Sequence, residues 1–138
     1  MRRSITELCT ADHANDPDIL QRWLANKTPE NVAAWITNPN NSVLVATENN
    51  AILAVGGVTN HGEITLNYVS PDARFRGISR AMLSALEARD RDRGNTTCTL
   101  TSTETARRFY KTAGYIRTGP STAKFGTPSY PMTKELIA

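Results

Sequence analysis

Residues 69–82 read Val69-Ser70-Pro71-Asp72-Ala73-Arg74-Phe75-Arg76-Gly77-Ile78-Ser79-Arg80-Ala81-Met82. An apolar strand over Glu63–Val69 runs into a Pro turn, a loop carrying Arg and Gly follows, and an amphipathic helix opens behind it. Such a turn directs successive backbone N–H groups at one point, at the positive end of a helix and beside guanidinium groups. That is a receptor for a phosphate-bearing ligand. The plainer reading is a strand-to-helix turn in which Gly77 supplies only the sharp geometry.

The chain organises outward from this turn. Downstream, Ile78, Ala81, Met82, Ala85 and Leu86 recur at helical spacing and predict a helix to about Arg93, closed by Gly94. Thr96–Leu100 reads as a short strand. Ala106, Phe109, Tyr110 and Ala113 mark the face of another helix, stopped by Gly114. Tyr115–Thr118 predicts a strand, 119–129 a loop, and Tyr130–Leu136 a last strand. Upstream, His61-Gly62 and Asn49-Asn50 turn a meander of strands over Ser42–Thr47, Ile52–Thr59 and Glu63–Val69, with Gly56-Gly57 as a bulge or a point of close approach. Before it, residues 3–9 predict a helix through Ile5, Leu8 and Cys9. Asp16-Pro17 and Thr28-Pro29 each give a cap followed by Pro at the first helical position, for helices to about Ala25 and about Ile36. The order is that of an α/β domain around one mixed sheet, with residues 1–138 as a single unit.

Composition narrows the function classes. The chain of 138 residues has a net charge of +3 and two cysteines, Cys9 and Cys98. No stretch approaches a membrane span, and the opening residues lack the apolar core of a secretory signal, so the expectation is a reduced cytoplasmic protein with no membrane partner. Six arginines stand between 74 and 93, but Glu87, Asp90 and Asp92 interrupt them and aromatics are few, which argues against nucleic acid. Cys9 and His13 have the i, i+4 spacing of a metal pair, yet two Cys and two His in the whole chain are too few to make a metal site the expectation.

Two blocks together resemble the GNAT superfamily of N-acetyltransferases. The family's coenzyme loop, Arg/Gln-x-x-Gly-x-Gly/Ala after a strand, stands here as Arg74-Phe75-Arg76-Gly77-Ile78-Ser79. Its later helix, with a small residue, an aromatic, Tyr and then Gly-Tyr, stands as Ala106-Arg107-Arg108-Phe109-Tyr110, followed by Gly114-Tyr115. Three departures accompany the match. Ser79 replaces a Gly or Ala, Thr103 sits where many members have Asn, and the strand that usually opens the fold is missing or shortened. The last of these exposes a sheet edge on which a second copy can pair, so a homodimer is one expectation.

The resemblance implies a mostly antiparallel sheet flanked by helices, with acetyl-CoA as cosubstrate. Backbone amides over Arg76–Arg80 would cradle its diphosphate, helped by Arg74, Phe75, Gly77, Ile78 and Ser79. The main chain at Tyr68 and Val69 would pair with the pantetheine arm, and Thr103, Ala106 and Phe109 would complete the coenzyme wall. Tyr110, a phenol with an ordinary pKa of about 10, is the implied general acid for the departing thiolate; the plainer reading is a packed helix-face aromatic. Glu63, eleven positions before Arg74, matches the base position of histone-acetylating members, or else is an exposed hairpin residue. His61 is a turn residue or an alternative base.

Thr65 and Asn67 share the Glu63 face by alternation and are candidates to line the acceptor pocket. Residues 9–30 and 119–129 would frame that pocket, with Trp23, Trp35 and Tyr130 as candidate walls. Asp12, Asp16 and Asp18 would make it acidic and suited to a cationic amine, although capping explains Asp16 equally. The function so implied is acetylation of a primary amine on a small molecule or a peptide. A non-catalytic acyl-CoA-binding module on the same fold is the alternative.

Overall fold

Polar turns punctuate the middle of the chain, and three strands form between them: β1 (Asn41–Glu48), β2 (Ala51–Thr59) and β3 (Glu63–Val69). The computed structural model describes residues 1–136 and pairs these strands as an antiparallel meander. Asn49 and Asn50 make the first hairpin turn at φ 51° and 66°, the left-handed conformations that a two-residue loop demands. β4 (Thr97–Thr103) joins β3 in parallel, and β7 (Thr127–Glu135) lies antiparallel to β4 on its far side. β5 (Ile116–Arg117) and β6 (Thr122–Lys124) both pair with β7, giving a sheet of order β1-β2-β3-β4-β7-β5 that is mixed but mostly antiparallel.

The expected loop over 119–129 is a hairpin. β6 pairs with the start of β7 around Phe125 and Gly126, so β7 begins at Thr127 rather than at Tyr130. Its inward residues there, Thr127 and Ser129, are polar, and no apolar alternation announces the strand. β4 likewise runs past Leu100 to Thr103. The strand expected over 115–118 shrinks to two residues, because Tyr115 is drawn into the core, where its hydroxyl donates to Glu87 at 2.7 Å.

The helices are α1 (Arg2–Leu8), α2 (Thr10–His13), α3 (Pro17–Leu24), α4 (Pro29–Thr37), α5 (Ile78–Asp92) and α6 (Arg107–Thr112). Capping does what the sequence announced. The Asp16 carboxylate accepts from the Asp18 amide at 2.9 Å, and the Thr28 hydroxyl accepts from the Asn31 amide at 3.2 Å. On α5 the buried face is Met82, Leu83, Leu86, Glu87 and Asp90, while Ala81 and Ala85 are exposed, so the stripe is rotated from the expected one. The acids turn inward because partners wait there. Glu87 accepts from Tyr115 and from the Lys134 ammonium at 3.1 Å, and Asp90 accepts from the Asn95 side-chain amide at 2.6 Å.

α5 lies close on the sheet at Gly56, where a Cβ would meet the Met82 sulfur at 2.6 Å. Two cores result. One, around Val58, Leu86, Cys98, Leu100 and Tyr115, lies under α5 and α6; the other, around Ile5, Cys9 and Trp23, lies under α1 and α3. Among the described residues no helix is long and apolar enough to cross a membrane.

Candidate active site

β3 and β4 pair only at Glu63↔Thr99 and Ile64↔Leu100. Immediately beyond, the β2–β3 register shifts between Gly57 and Val58 and leaves Thr65 as an extra residue on β3. Such a bulge bends its strand, and from here to Val69 β3 has no partner on β4. The Ser70 amide donates to the Leu53 carbonyl at 2.7 Å, which fixes the phase of the β2–β3 ladder. Ser70 and Tyr68 therefore turn their main-chain groups to β2, and Asn67 and Val69 turn theirs to the opening, since antiparallel bonding alternates. The main chain of Tyr68, expected at the opening, faces β2 instead, and that of Asn67, two residues before Val69, faces the opening. A cavity of about 1050 Å³ fills the opening and takes side chains from both cores. Sites for one small ligand span roughly 300–1,000 Å³, so this one has room for a coenzyme arm and a second substrate.

At one end stands the β3–α5 turn. The Ser70 hydroxyl accepts from the Asp72 amide, a short 3₁₀ turn follows at Pro71–Ala73, and the buried Ala73 pins the loop. Gly77 takes φ 75° as the N-cap of α5. No side chain caps this helix, and its first turn holds no acid. The amides of Ile78, Ser79 and Arg80 precede the first helical bond, from Ala81 N–H to the Gly77 carbonyl at 3.1 Å, and so remain free donors. A Cβ on Gly77 would meet nothing within 4 Å, so the turn is open on that side. Arg74 lies 4.5 Å over the ring of Phe75, which is 91% exposed. Arg74, Phe75, Gly77, Ile78, Ser79 and Arg80 all line the cavity. The Arg76 guanidinium instead pairs with Glu48 on β1, and Arg76 is not among the lining residues. Free amides at the positive end of a fifteen-residue helix suit a diphosphate.

In the middle stands Tyr110, on α6. The turn before α6 is held from two sides. The Thr103 hydroxyl accepts from the Ala106 amide at 3.2 Å, while Asp12 accepts from the Glu104 amide at 2.6 Å, the Thr105 amide at 3.2 Å and the Thr105 hydroxyl. Tyr110 is 7% exposed and packs edge-on against Phe109 and Tyr115. Burial pushes its phenol up to about 12. Its oxygen accepts from the Asn67 side-chain amide at 3.2 Å, which favours the phenolate and works against that rise. The group keeps its proton at neutral pH, and a donor is in place for the oxygen once the proton leaves. Asn67 and Thr65 both line the cavity, and Asn67 holds Tyr110 from that wall. Thr103, Ala106, Phe109, Tyr68 and Val69 line the same cavity, and Glu63 lines it from the exposed start of β3. His61 is an exposed turn residue on the cavity rim.

The far end is built by α1–α3, the loop after α3, and the β6–β7 hairpin. Trp23, 2% exposed, donates from its indole to the Tyr68 hydroxyl at 3.4 Å and stacks on Phe125 at 6.4 Å. Trp35 lines the cavity. Tyr130 is not among the lining residues; its ring lies under Arg107 at 4.0 Å and Arg117 at 5.0 Å. Nor is this end acidic, since Asp12 is turned onto the β4–α6 turn and Asp16 onto α3. Lys27, which the sequence did not single out, is here and 7% exposed. His13 is fully buried with both ring nitrogens in hydrogen bonds, Nε2 to the Ile5 carbonyl and Nδ1 to the Asn15 amide, each at 2.9 Å.

Comparison with known proteins places this architecture. A family model described as an acetyltransferase (GNAT) domain matches residues 10–136. No curated protein matches the chain. Among solved structures, a GCN5-related N-acetyltransferase from Rhodopseudomonas palustris superposes with a TM-score of 0.86 at 23% identity, covering 98% of this chain and 84% of that one. The PaiA N-acetyltransferase from Thermoplasma acidophilum, solved with coenzyme A, gives 0.77 at 17% identity over 97% and 89%. An aminoglycoside 6′-N-acetyltransferase from Enterococcus faecium gives 0.70 at 18% identity over 88% of each chain. The chain belongs to the GNAT family of acetyltransferases, enzymes that take their acetyl group from acetyl-CoA.

Proposed function

We propose that this enzyme moves an acetyl group from acetyl-CoA directly onto a primary amine of a small molecule or a peptide. The observation that carries the reading is the parting of β3 from β4 after Ile64, which opens one cavity to the free amides of α5 and to the Tyr110 hydroxyl. Acetyl-CoA supplies an activated acetyl thioester whose leaving group is a thiolate. The amides of Ile78, Ser79 and Arg80 hold the diphosphate, with Arg74 and Arg80 adding charge-assisted contacts. Main-chain groups of Asn67 and Val69 take the pantetheine arm as an added strand and set the carbonyl against a backbone donor. Tyr110 donates its proton to the sulfur, and Asn67 stabilises the oxygen that has lost it. Glu63, at the cavity rim, accepts the proton of the incoming ammonium through an intervening water.

Several similar structures are aminoglycoside acetyltransferases, which supports an amine-bearing acceptor. Calorimetric titration with acetyl-CoA, followed by thiol release with a panel of amines, tests the reading. Saturable heat and amine-dependent release of coenzyme A are expected. Absence of heat and of any thermal shift at millimolar acetyl-CoA would overturn it.

A further inference from the structure

We propose that the acceptor carries an anionic group, a carboxylate or a phosphate, beside its amine, and that Lys27 and Lys124 receive it. This rests on the acetyltransferase reading for what happens at the amine, and adds the chemistry at the other end of the same molecule. The Lys27 side chain donates to the Asn26 side-chain oxygen at 2.7 Å and to the Trp23 carbonyl at 3.4 Å, both neutral. Among the described residues no carboxylate pairs with it. A buried cation without a counter-charge is costly, and proteins normally remove one or pair it.

Its surroundings deepen the deficit. Lys124 on β6 adds a like charge, and Arg2 on α1 reaches the Leu24 and Lys27 carbonyls. Arg22 on α3 lies against Gly126. The Cys9 thiol and Tyr68 phenol packed nearby add no negative charge at neutral pH, since burial pushes the thiol up to about 12 and raises the phenol, and the Asp12 carboxylate beside Cys9 is taken by the Glu104 and Thr105 amides.

Both lysines line the cavity that holds Tyr110, yet Lys27 sits with the second core, across the sheet from α5. The coenzyme's diphosphate is already provided for at Gly77. The missing counter-charge therefore belongs to the other substrate. Burial and Lys124 pull the Lys27 ammonium down to about 8, which leaves it charged on most molecules at pH 7 and makes anion binding fade above that value. A polycation such as an aminoglycoside would be repelled from this end.

The test uses the full chain, saturating acetyl-CoA and matched acceptors: phenylalanine against phenethylamine, ethanolamine phosphate against ethanolamine, and kanamycin. At least a tenfold higher kcat/KM for the anionic member of one pair is expected, carried mainly by KM and falling away above about pH 8. Which pair shows it tells carboxylate from phosphate. Lys27→Met, and separately the exposed Lys124→Ala in case the first fails to fold, should each erase most of that preference. Equal or better turnover of the uncharged twins, preference for kanamycin, or acetyl-CoA binding with no anionic acceptor acetylated would overturn the proposal. Failure of the acetyltransferase reading itself shows separately, as absence of acetyl-CoA heat, and the proposal falls with it.

Discussion

The two ends of the cavity are built in different ways. At the end proposed for the diphosphate the free donors come from the continuous segment Ser70–Arg80, and they are mostly main-chain amides set by φ/ψ at Gly77 and by the start of α5. At the acceptor end Lys27, Trp23, Phe125 and Lys124 come from two segments about a hundred residues apart, and their side chains define the wall. Tyr110 stands between them, on a short helix held by Asp12 from the opposite end of the sequence. A site made of local backbone geometry tolerates change around it. One made of distant side chains takes its chemistry from whatever the packing brings together. This is why coenzyme and acceptor specificity can vary independently on one scaffold.

Substitutions separate the two ends, and the largest effect belongs to the residue they share. Tyr110→Phe should lower kcat about a thousandfold, within the 10²–10⁴ range of general acid catalysis, with acetyl-CoA affinity unchanged by calorimetry. A loss of affinity matching the loss of kcat would make Tyr110 a packing residue. The same phenol sets an alkaline limit. Its value of about 12 in the fold lies above its ordinary 10.0, so its stabilising contribution is full below pH 10 and is lost as pH rises to about 12. The loss is roughly 3 kcal/mol, and it should be absent from the unfolding curves of Tyr110→Phe.

Lys27 gives the opposite slope. Its value of about 8 lies below the ordinary 10.5, so the fold is penalised below pH 8 and relieved as pH rises to 10.5. Lys27→Met should therefore stabilise the ligand-free protein at pH 7 more than at pH 10.5, read by denaturant unfolding. Destabilisation at pH 7 would mean that Lys27 is a structural group.

Gly77→Asp acts only at the coenzyme end. A carboxylate before the free amides of α5 should weaken acetyl-CoA about a hundredfold in calorimetry at a small cost in thermal stability, because Asp meets some strain in the left-handed conformation at φ 75° but suits a helix N-terminus. Unaltered affinity would remove the diphosphate from this turn. Glu63→Gln is the mildest, with about a tenfold lower kcat and unchanged acetyl-CoA affinity expected of a general base acting through water. An unaltered kcat would return Glu63 to being an exposed strand residue.

How much of this the sequence announces follows the same division. The capping of α3 and α4, the meander and the β3–α5 turn are all written in neighbouring residues and are read from them. The rotated face of α5 is not, because Glu87 and Asp90 turn inward for Tyr115, Lys134 and Asn95, which hydrophobic periodicity cannot know. The β6–β7 hairpin escapes because its inward residues are Thr and Ser. Arg76 reads as a ligand-binding arginine by position, but Glu48 on β1 draws its side chain away. Asp12 and Asp16 read as an acidic acceptor pocket, yet one clamps the β4–α6 turn and the other caps α3.

The sequence alone determined the helices, the meander and the β3–α5 turn, since capping, turn chemistry and a left-handed glycine depend on residues within a few positions of one another. Only the tertiary structure decided the charge of the cavity end beside Lys27, the partner of Tyr110 and the destination of each buried acid. A side chain's electrostatic surroundings are set by distance in space, and here the deciding neighbours lie tens of residues away along the chain.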